Sequence, residues 1–582
     1  MKHFKFTLLL TILMSVVGMT TKATTARYYT VTSTDYYNNY SYFYINGVKL
    51  KFYTGSNGTI SSTVDNKSLT GDIIIPDTLI DENGNIYKYS FKFIASDVFK
   101  NVTSITFGKI VNKVSIASAC PLIKTLNIPN YIKELHVTDM AGLESIFIEE
   151  RTDTLKMNII GANNGNDLLP KLNVIWINSN NVPEKGGDAS YRFNWVKNNL
   201  HYTLVVPSES LTKYKTEIPT MSNRIIPMVE SADIVFYNQA TLQDYIIKSE
   251  ECNMDTIKSV VFYNGIDKYL TDKWLRTGVN PNCLFYVYPD SAMSGDNVVR
   301  LSDMTADNIV LQEGHPFKCP AQFTAKKATY TYIPSTWADG KNGWEAVCLP
   351  YEVRNFRAST KGALSPILLG TDGNFWLREF IGASSDELYF TSTYDGVMKA
   401  YTPYIVAFPG SKMGKNNIEG QSVSFIGKDV VVGADQPAIV QRNDFIFKGG
   451  FDTDADEGTG WILNSNGDGF EKTDVVGNNP FHAYFMTDND DTAAGAKRLS
   501  ISTEFVEEEG TLVSTVKEAE EELEVVAEEG AVIIKANNNT TANIYGANGA
   551  LLRCVRINAG ENKVEGLAKG LYIINKQKIL IR

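Results

Sequence analysis

The sequence predicts a mainly β, multidomain chain: a short solenoid of stacked repeats, then β-sandwich-like domains, then a small C-terminal β-sandwich. Three observations carry this. The 582 residues exceed what one hydrophobic core serves, and about three or four domains is the natural division. Thirty Tyr and 28 Phe, with abundant Val, Ile and Thr, supply the branched and aromatic side chains that fit a pleated surface. Between residues 99 and 177 an apolar triplet recurs at a spacing too short to bury its own face.

Residues 1–23 read as a secretory signal peptide. Lys2, His3 and Lys5 form a basic start, Phe6 to Val17 an apolar run, and small and polar residues lead to cleavage after Ala23 or Ala26. The apolar run is too short to span ~30 Å of hydrocarbon. No other stretch has the length and apolarity of a membrane span, and export is the expectation.

Residues 27–230 form the N-terminal β region. The pattern apolar-x-x-apolar-x-apolar runs through Val102, Ile105, Phe107; Val111, Val114, Ile116; Ile123, Leu126, Ile128; Ile132, Leu135, Val137; and Leu143, Ile146, Ile148. After an Asn/Gly-rich insertion near 161–167 it returns as Leu172, Ile175, Ile177. Alternate copies start 21, then 20, residues apart (102 to 123, then 123 to 143). Such units must stack to share a core. The last positions of each triplet suit a short strand with one face inward, placing Ile105, Leu126, Ile146 and Ile175 inside.

The segment VTSITFGKIVNKVSIASACPLIKTLNIPNYIKEL resembles the leucine-rich repeats of BspA-type bacterial surface antigens. Ile128–Pro129 and Ile75–Pro76 after strands, Val98–Phe99 before a coil and Cys120 before the next carry the match. LVVPSESLTKYK, residues 204–215, is similar to the element that closes such arrays. The resemblance covers about residues 65 to 230 and implies a leucine-rich-repeat solenoid that binds protein or glycan.

Residues 231–280 read as a connecting segment, with a short helix expected over 242–248. Residues 281–503 read as a β-sandwich-like module of apolar strands punctuated by Gly, Pro and Asn, as at Asn464 to Gly469. NPNCLFYV, GWEAVCLPYEV and YTPYIVAFPG resemble a module that recurs in exported proteins of anaerobic bacteria. Residues 504–529 hold eleven Glu and one Lys, a local charge of −10 within a total of −11, and read as an acidic linker with partial order. Residues 530–582 alternate strands with turns at Asn548–Gly549 and Gly560–Glu561. They resemble the C-terminal sorting domain of type IX secretion cargo through Gly570, Tyr572 and the closing 578–582 strand, which implies an Ig-like β-sandwich that engages secretion machinery.

Little chemistry stands out. No basic face offers a footprint for nucleic acid. Of His136, His201, His315 and His482, none has the spacing of a helical zinc site. His315 and Cys319, with Cys348 downstream, could form a metal cluster, but a strand-edge His with two buried thiols is favoured. Asp452, Asp454 and Asp456 begin like a calcium loop, yet Glu457 replaces the required Gly and Leu463 the closing acid. A solvated acidic turn is favoured there. Among Cys120, Cys252, Cys283, Cys319, Cys348 and Cys554, buried free thiols are expected for most, and Cys283–Cys319 and Cys319–Cys348 are the pairs to check. Asp-Thr/Ser dipeptides before an apolar or small residue, at Thr78, Thr154, Thr256, Ser291 and Thr492, resemble a bacterial O-glycosylation acceptor.

No catalytic, cofactor-binding or metal residue is assigned, and no cofactor or metal is expected. The expectation is an exported, non-catalytic protein at the outer-membrane exterior, adhering to host or matrix protein or to an extracellular glycan. A glycosidase in the middle module and a purely structural envelope component are the alternatives.

Overall fold

A computed structural model describes residues 28–581 apart from 31–32, 36–39, 46–47, 54–58, 64–67, 81–90, 95–96, 118–119, 164–165, 187–192, 195–201, 237–253, 264–277, 339–341, 369–371, 488–495, 504–505, 509–510, 514–522, 537–539, 547–550, 575–576 and the single positions 385, 435, 443, 457 and 529. The leader, Cys252, His201, Glu457, Thr492, the 242–248 helix and the Asn548–Gly549 turn lie outside the described residues. The chain is mainly β, and among the described residues Leu211–Glu217 is the one α-helix. It divides into two compact units, 1–502 and 503–582.

In the first unit the triplets from Val111 onward fall alternately in two sheets whose strands here run parallel, while the first, in Asn101–Thr106, pairs with Thr70–Ile74. Val111–Ile116, Glu134–Thr138 and Lys156–Ile160 pair side by side in the first sheet. Thr125–Ile128, Ser145–Ile148, Val174–Ile177, Thr203–Val206 and Ile225–Pro227 form the second. This explains why alternate copies share a period: Val114 lies opposite Leu135 in one sheet, and Leu126 opposite Ile146 in the other. In the first sheet buried and less buried residues alternate along each of these strands, as the pleat requires, whereas Thr203–Val206 and Ile225–Pro227 of the second are buried on both sides. Leu126, Leu135, Ile146, Met157 and Ile175 are all buried in the core between the sheets. The insertion forms a hairpin, Ala162–Asn163 against Asn166–Asp167, without breaking either ladder.

The coils approach closely at their corners. A Cβ on Gly142 would lie 2.1 Å from the Pro121 carbonyl oxygen, and one on Gly108 2.1 Å from that of Pro76. Gly108 leads into a strand of the first sheet and Gly142 into one of the second, so at both kinds of corner only glycine lets backbone pass over backbone.

The 231–280 segment contributes more than a connection. Ile234–Phe236 pairs in parallel with Ser259–Phe262, which pairs in parallel with Leu284–Val287, and together they open a third sheet. That sheet continues into the long antiparallel pair Phe323–Tyr332 and Val423–Val432. A fourth sheet of ten strands, from Trp344–Val347 to Ile439–Arg442, faces it. Tyr286, Tyr330 and Phe425 from the third and Tyr404 and Val406 from the fourth share one core. Val174, Val205 and Ile226, on the outer side of the second sheet, join that same core. The fourth sheet also encloses Phe380, Phe390, Phe447, Phe470 and Phe485, with Phe447 and Phe485 stacked at 4.4 Å.

The second unit pairs a three-stranded sheet (Glu524–Glu528, Ala531–Ala536, Gly560–Glu565) with a four-stranded one (Leu551–Ile557, Thr540–Gly546, Gly570–Ile574, Gln577–Ile581). Val532, Ile534, Ile544, Ile574 and Ile581 pack between them. Part of the expected acidic linker is therefore strand. Leu523 and Val525, two residues apart, are buried on the inner side of Glu524–Glu528, a period of two that has no helical face to display.

Candidate binding face

The first parallel sheet turns Val114, Ile116, Leu135, Val137, Met157 and Ile159 inward, so the residues between them stand outside in rows. One row alternates in charge: Lys113 opposes Glu134, Glu134 opposes Lys156, and Lys156 opposes Glu184. Lys113 Nζ lies 3.2 Å from Glu134. The next row has no Lys, Arg, Asp or Glu and is rich in hydrogen-bonding groups, with Ser115, His136 and Asn158 in register. His136 Nδ1 and Asn158 Nδ2 are 3.1 Å apart. Both residues are half-buried, which holds their geometry while leaving an edge for a partner.

At the corner below, buried Arg151 ties coils together. Its Nη2 donates to the carbonyls of Asn130 and Ile132, and its Nε to Asp153. Asp153 also accepts from Lys133, and that bond leads in lowering its pKa from the ordinary carboxylate value.

The outer side of the second sheet is not available in this way. Trp176 meets Tyr263 edge to face at 5.1 Å, and Thr203 Oγ1 donates to the Tyr263 carbonyl. Tyr263 Oη in turn accepts from the Val229 amide. The third sheet covers it.

Comparison with family models, with curated proteins and with solved structures returns no match.

A second polar cluster sits in the middle of the first unit. Glu313 accepts from the Tyr330 hydroxyl, and its Oε1 lies 2.7 Å from His482 Nε2. Buried Glu345 Oε1 accepts from the amides of Ser335 and Thr336 and from the Ser335 hydroxyl, at 2.5 to 2.9 Å. Buried Tyr332 feels both acids: its hydroxyl is pushed well above its ordinary pKa, first by burial, then by the charge of Glu345 and a hydrogen bond to it, and last by the charge of Glu313.

The residues singled out for metal chemistry are not assembled. The His315 carbonyl accepts from Asn282, Cys319 Sγ faces the Ala321 carbonyl, and Cys348 packs with Tyr401 and Ala438. Asp452 and Asp456, read as a solvated acidic turn, are partly exposed and hold separate partners. Asp452 pairs with Lys258, whereas Asp456 pairs with Lys448 at 2.9 Å and accepts from the Tyr484 hydroxyl. No group of three or more candidate metal ligands occurs among the described residues. Cys120, Cys283, Cys319 and Cys348 are buried and in no disulfide, so neither pair singled out for checking is bridged. Of the dipeptide threonines, Thr154 and Thr256 are exposed, while Thr78 and Ser291 are half-buried.

His136 and Asn158 escaped the sequence reading because nothing links them until the coil length puts them in register. Leu135 belongs to a triplet, but Met157, its inward partner one coil on, does not.

Proposed function

We propose that the chain is exported and acts outside the cell as a non-catalytic binding protein, its leucine-rich-repeat solenoid presenting the outer face of the first parallel sheet to a host or matrix protein or an extracellular glycan. The observation that carries this reading is the in-register row Ser115, His136, Asn158 beside the alternating row Lys113, Glu134, Lys156. Such a ladder offers evenly spaced donors and acceptors, about 4.8 Å apart from strand to strand. In this reading the middle sheets form a β-sandwich-like body, and the C-terminal unit is an Ig-like sorting domain that delivers the chain to the outer-membrane exterior.

The test is an array of matrix proteins and polysaccharides probed with the chain and with a His136→Ala/Asn158→Ala variant. Binding that falls about tenfold or more in the variant supports the reading, since two directed hydrogen bonds are lost. Binding unchanged by the variant removes the ladder from the contact, and no binding at all favours a structural envelope component.

A glycosidase is the second reading, favoured by two carboxylates, Glu313 and Glu345, whose charges both act on Tyr332. Turnover on an oligosaccharide panel that Glu345→Gln abolishes would establish it.

A further inference from the structure

Among the described residues two arginines are buried, Arg151 and Arg378, and they differ in company. Arg151 pairs with Asp153 at 2.9 Å. Arg378 is 3% exposed and meets no acid. Its hydrogen bonds both leave from Nη1, to the carbonyls of Ile367 at 3.2 Å and Leu377 at 3.1 Å. Burial pulls its pKa down to about 10, with no carboxylate opposing the shift. The guanidinium is still charged at neutral pH, and a buried cation ordinarily has a counter-charge.

The nearby acids are engaged elsewhere. Glu379, on the opposite face of Trp376–Ala383, feels Lys399 and Arg442, and Asp395 accepts from the Val397 amide. The edge of Arg378 left over is Nε and Nη2. Neither is sealed from solvent, as the unpartnered Arg151 Nη1 is.

Packing sets what stands beside that edge. Arg378 lies opposite half-buried Ser392 in the pairing of Trp376–Ala383 with Glu387–Ser392, so both side chains share one side of the sheet. The chain then turns through Thr393 to Gly396. A Cβ on Gly396 would lie 2.8 Å from Pro366 Cγ and 3.7 Å from Leu368 Cδ2, the residues on either side of Ile367. The turn is therefore seated against the loop that holds Arg378. It presents Tyr394, 76% exposed, the most exposed large hydrophobic side chain among the described residues.

We propose that Arg378 and Tyr394 form a binding site for a carboxylate-bearing sugar, a uronate. The free Nε–Nη2 edge offers two parallel donors that match the two oxygens of a planar carboxylate. Bound there, the carboxylate supplies the missing counter-charge. Tyr394 gives the sugar ring an apolar face, and the Ser392 hydroxyl a further hydrogen bond. A neutral sugar leaves the cation unpaired, so the site discriminates by charge. It belongs to the fourth sheet and is separate from the ladder on the first, so neither reading depends on the other.

The test is calorimetric titration of the exported chain, its leader removed, with trigalacturonate, neutral galactotriose, sodium sulfate and a glutamate-rich peptide. Trigalacturonate should bind about tenfold or more tightly than the other three, because it alone combines a planar carboxylate with a sugar ring. Arg378→Met should weaken its binding about tenfold to a hundredfold, and Tyr394→Ala about fivefold. His136→Ala/Asn158→Ala should not change it. If Arg378→Met does not fold, Tyr394→Ala decides alone, since its side chain is exposed and circular dichroism should not change. No binding of trigalacturonate, or binding indifferent to Tyr394→Ala or to a folded Arg378→Met, would overturn the proposal. Equal binding of galactotriose or sulfate would overturn it by removing the carboxylate, and equal binding of the peptide by assigning the site to a protein partner.

Discussion

Cys120, Cys283, Cys319 and Cys348 sit inside packed layers, where a thiolate has no solvent to stabilise it. Burial pushes the Cys120 thiol up to about 12 and the Cys348 thiol higher still. Both are small hydrophobes in practice. Iodoacetamide should therefore leave these four unmodified in the native protein and label them all in denaturant, as peptide mass spectrometry would read. Rapid native labelling at Cys348 would contradict the packing around it. Glu379 shows the cost of burial from the acidic side. Burial raises its carboxyl pKa, while Lys399 and Arg442 oppose the shift only in part. A folded pKa above the unfolded one contributes stability below the unfolded value, near ~4.3, and loses it as pH rises through the folded value. Glu379→Gln should accordingly raise the melting temperature at pH 7 and give no gain below pH ~4. A variant less stable at pH 7 would mean that the Lys399 and Arg442 attraction outweighs burial.

At the scale of elements, the coil spacing was legible in the sequence because each triplet has one buried face. Where burial is two-sided the signal vanishes. All four residues of Ser259–Phe262 and of Leu284–Val287 are buried, so the strands show no alternation, and 231–280 read as a connection. Lys156–Ile160 was missed for a different reason: Leu155, Met157 and Ile159 are spaced by two throughout and lack the wider first gap of the triplet. The candidate face was illegible because His136 and Asn158 become neighbours only through that missed strand. The stacking makes a sharp demand on two residues. Leu126→Asp should cost several kcal/mol by placing an unpaired carboxylate in the core, and the first unit should fail to fold. Gly142→Ala, which adds one methyl against the Pro121 carbonyl, should cost about 1–3 kcal/mol and leave a folded protein with a lower urea midpoint. A soluble, cooperative Leu126→Asp protein would show that the inward assignment of that strand is wrong.

At the scale of the molecule, the chain has two independent accounts of stability. The first unit runs its cores through four sheets, whereas the second rests on one small core drawn from residues 523–581 alone. About eighty residues enclose little apolar volume, so this unit should be the weaker of the two. Its last strand, Gln577–Ile581, pairs along its full length with Gly570–Ile574 and delivers Ile579 and Ile581 to the core. Gln577 also donates to the Leu523 carbonyl, tying the final strand to the segment that leads into the first. Removing residues 576–582 therefore takes a whole ladder and two core side chains from a domain with little to spare. Calorimetry of the full chain should show two transitions, and the truncated chain should keep the larger while losing the smaller. If the unit is a sorting domain, fractionated cells expressing the truncated chain should hold it in the periplasm with its first unit folded. Normal surface display of a chain that has lost the smaller transition would separate the two claims, leaving the β-sandwich in place and removing its part in delivery.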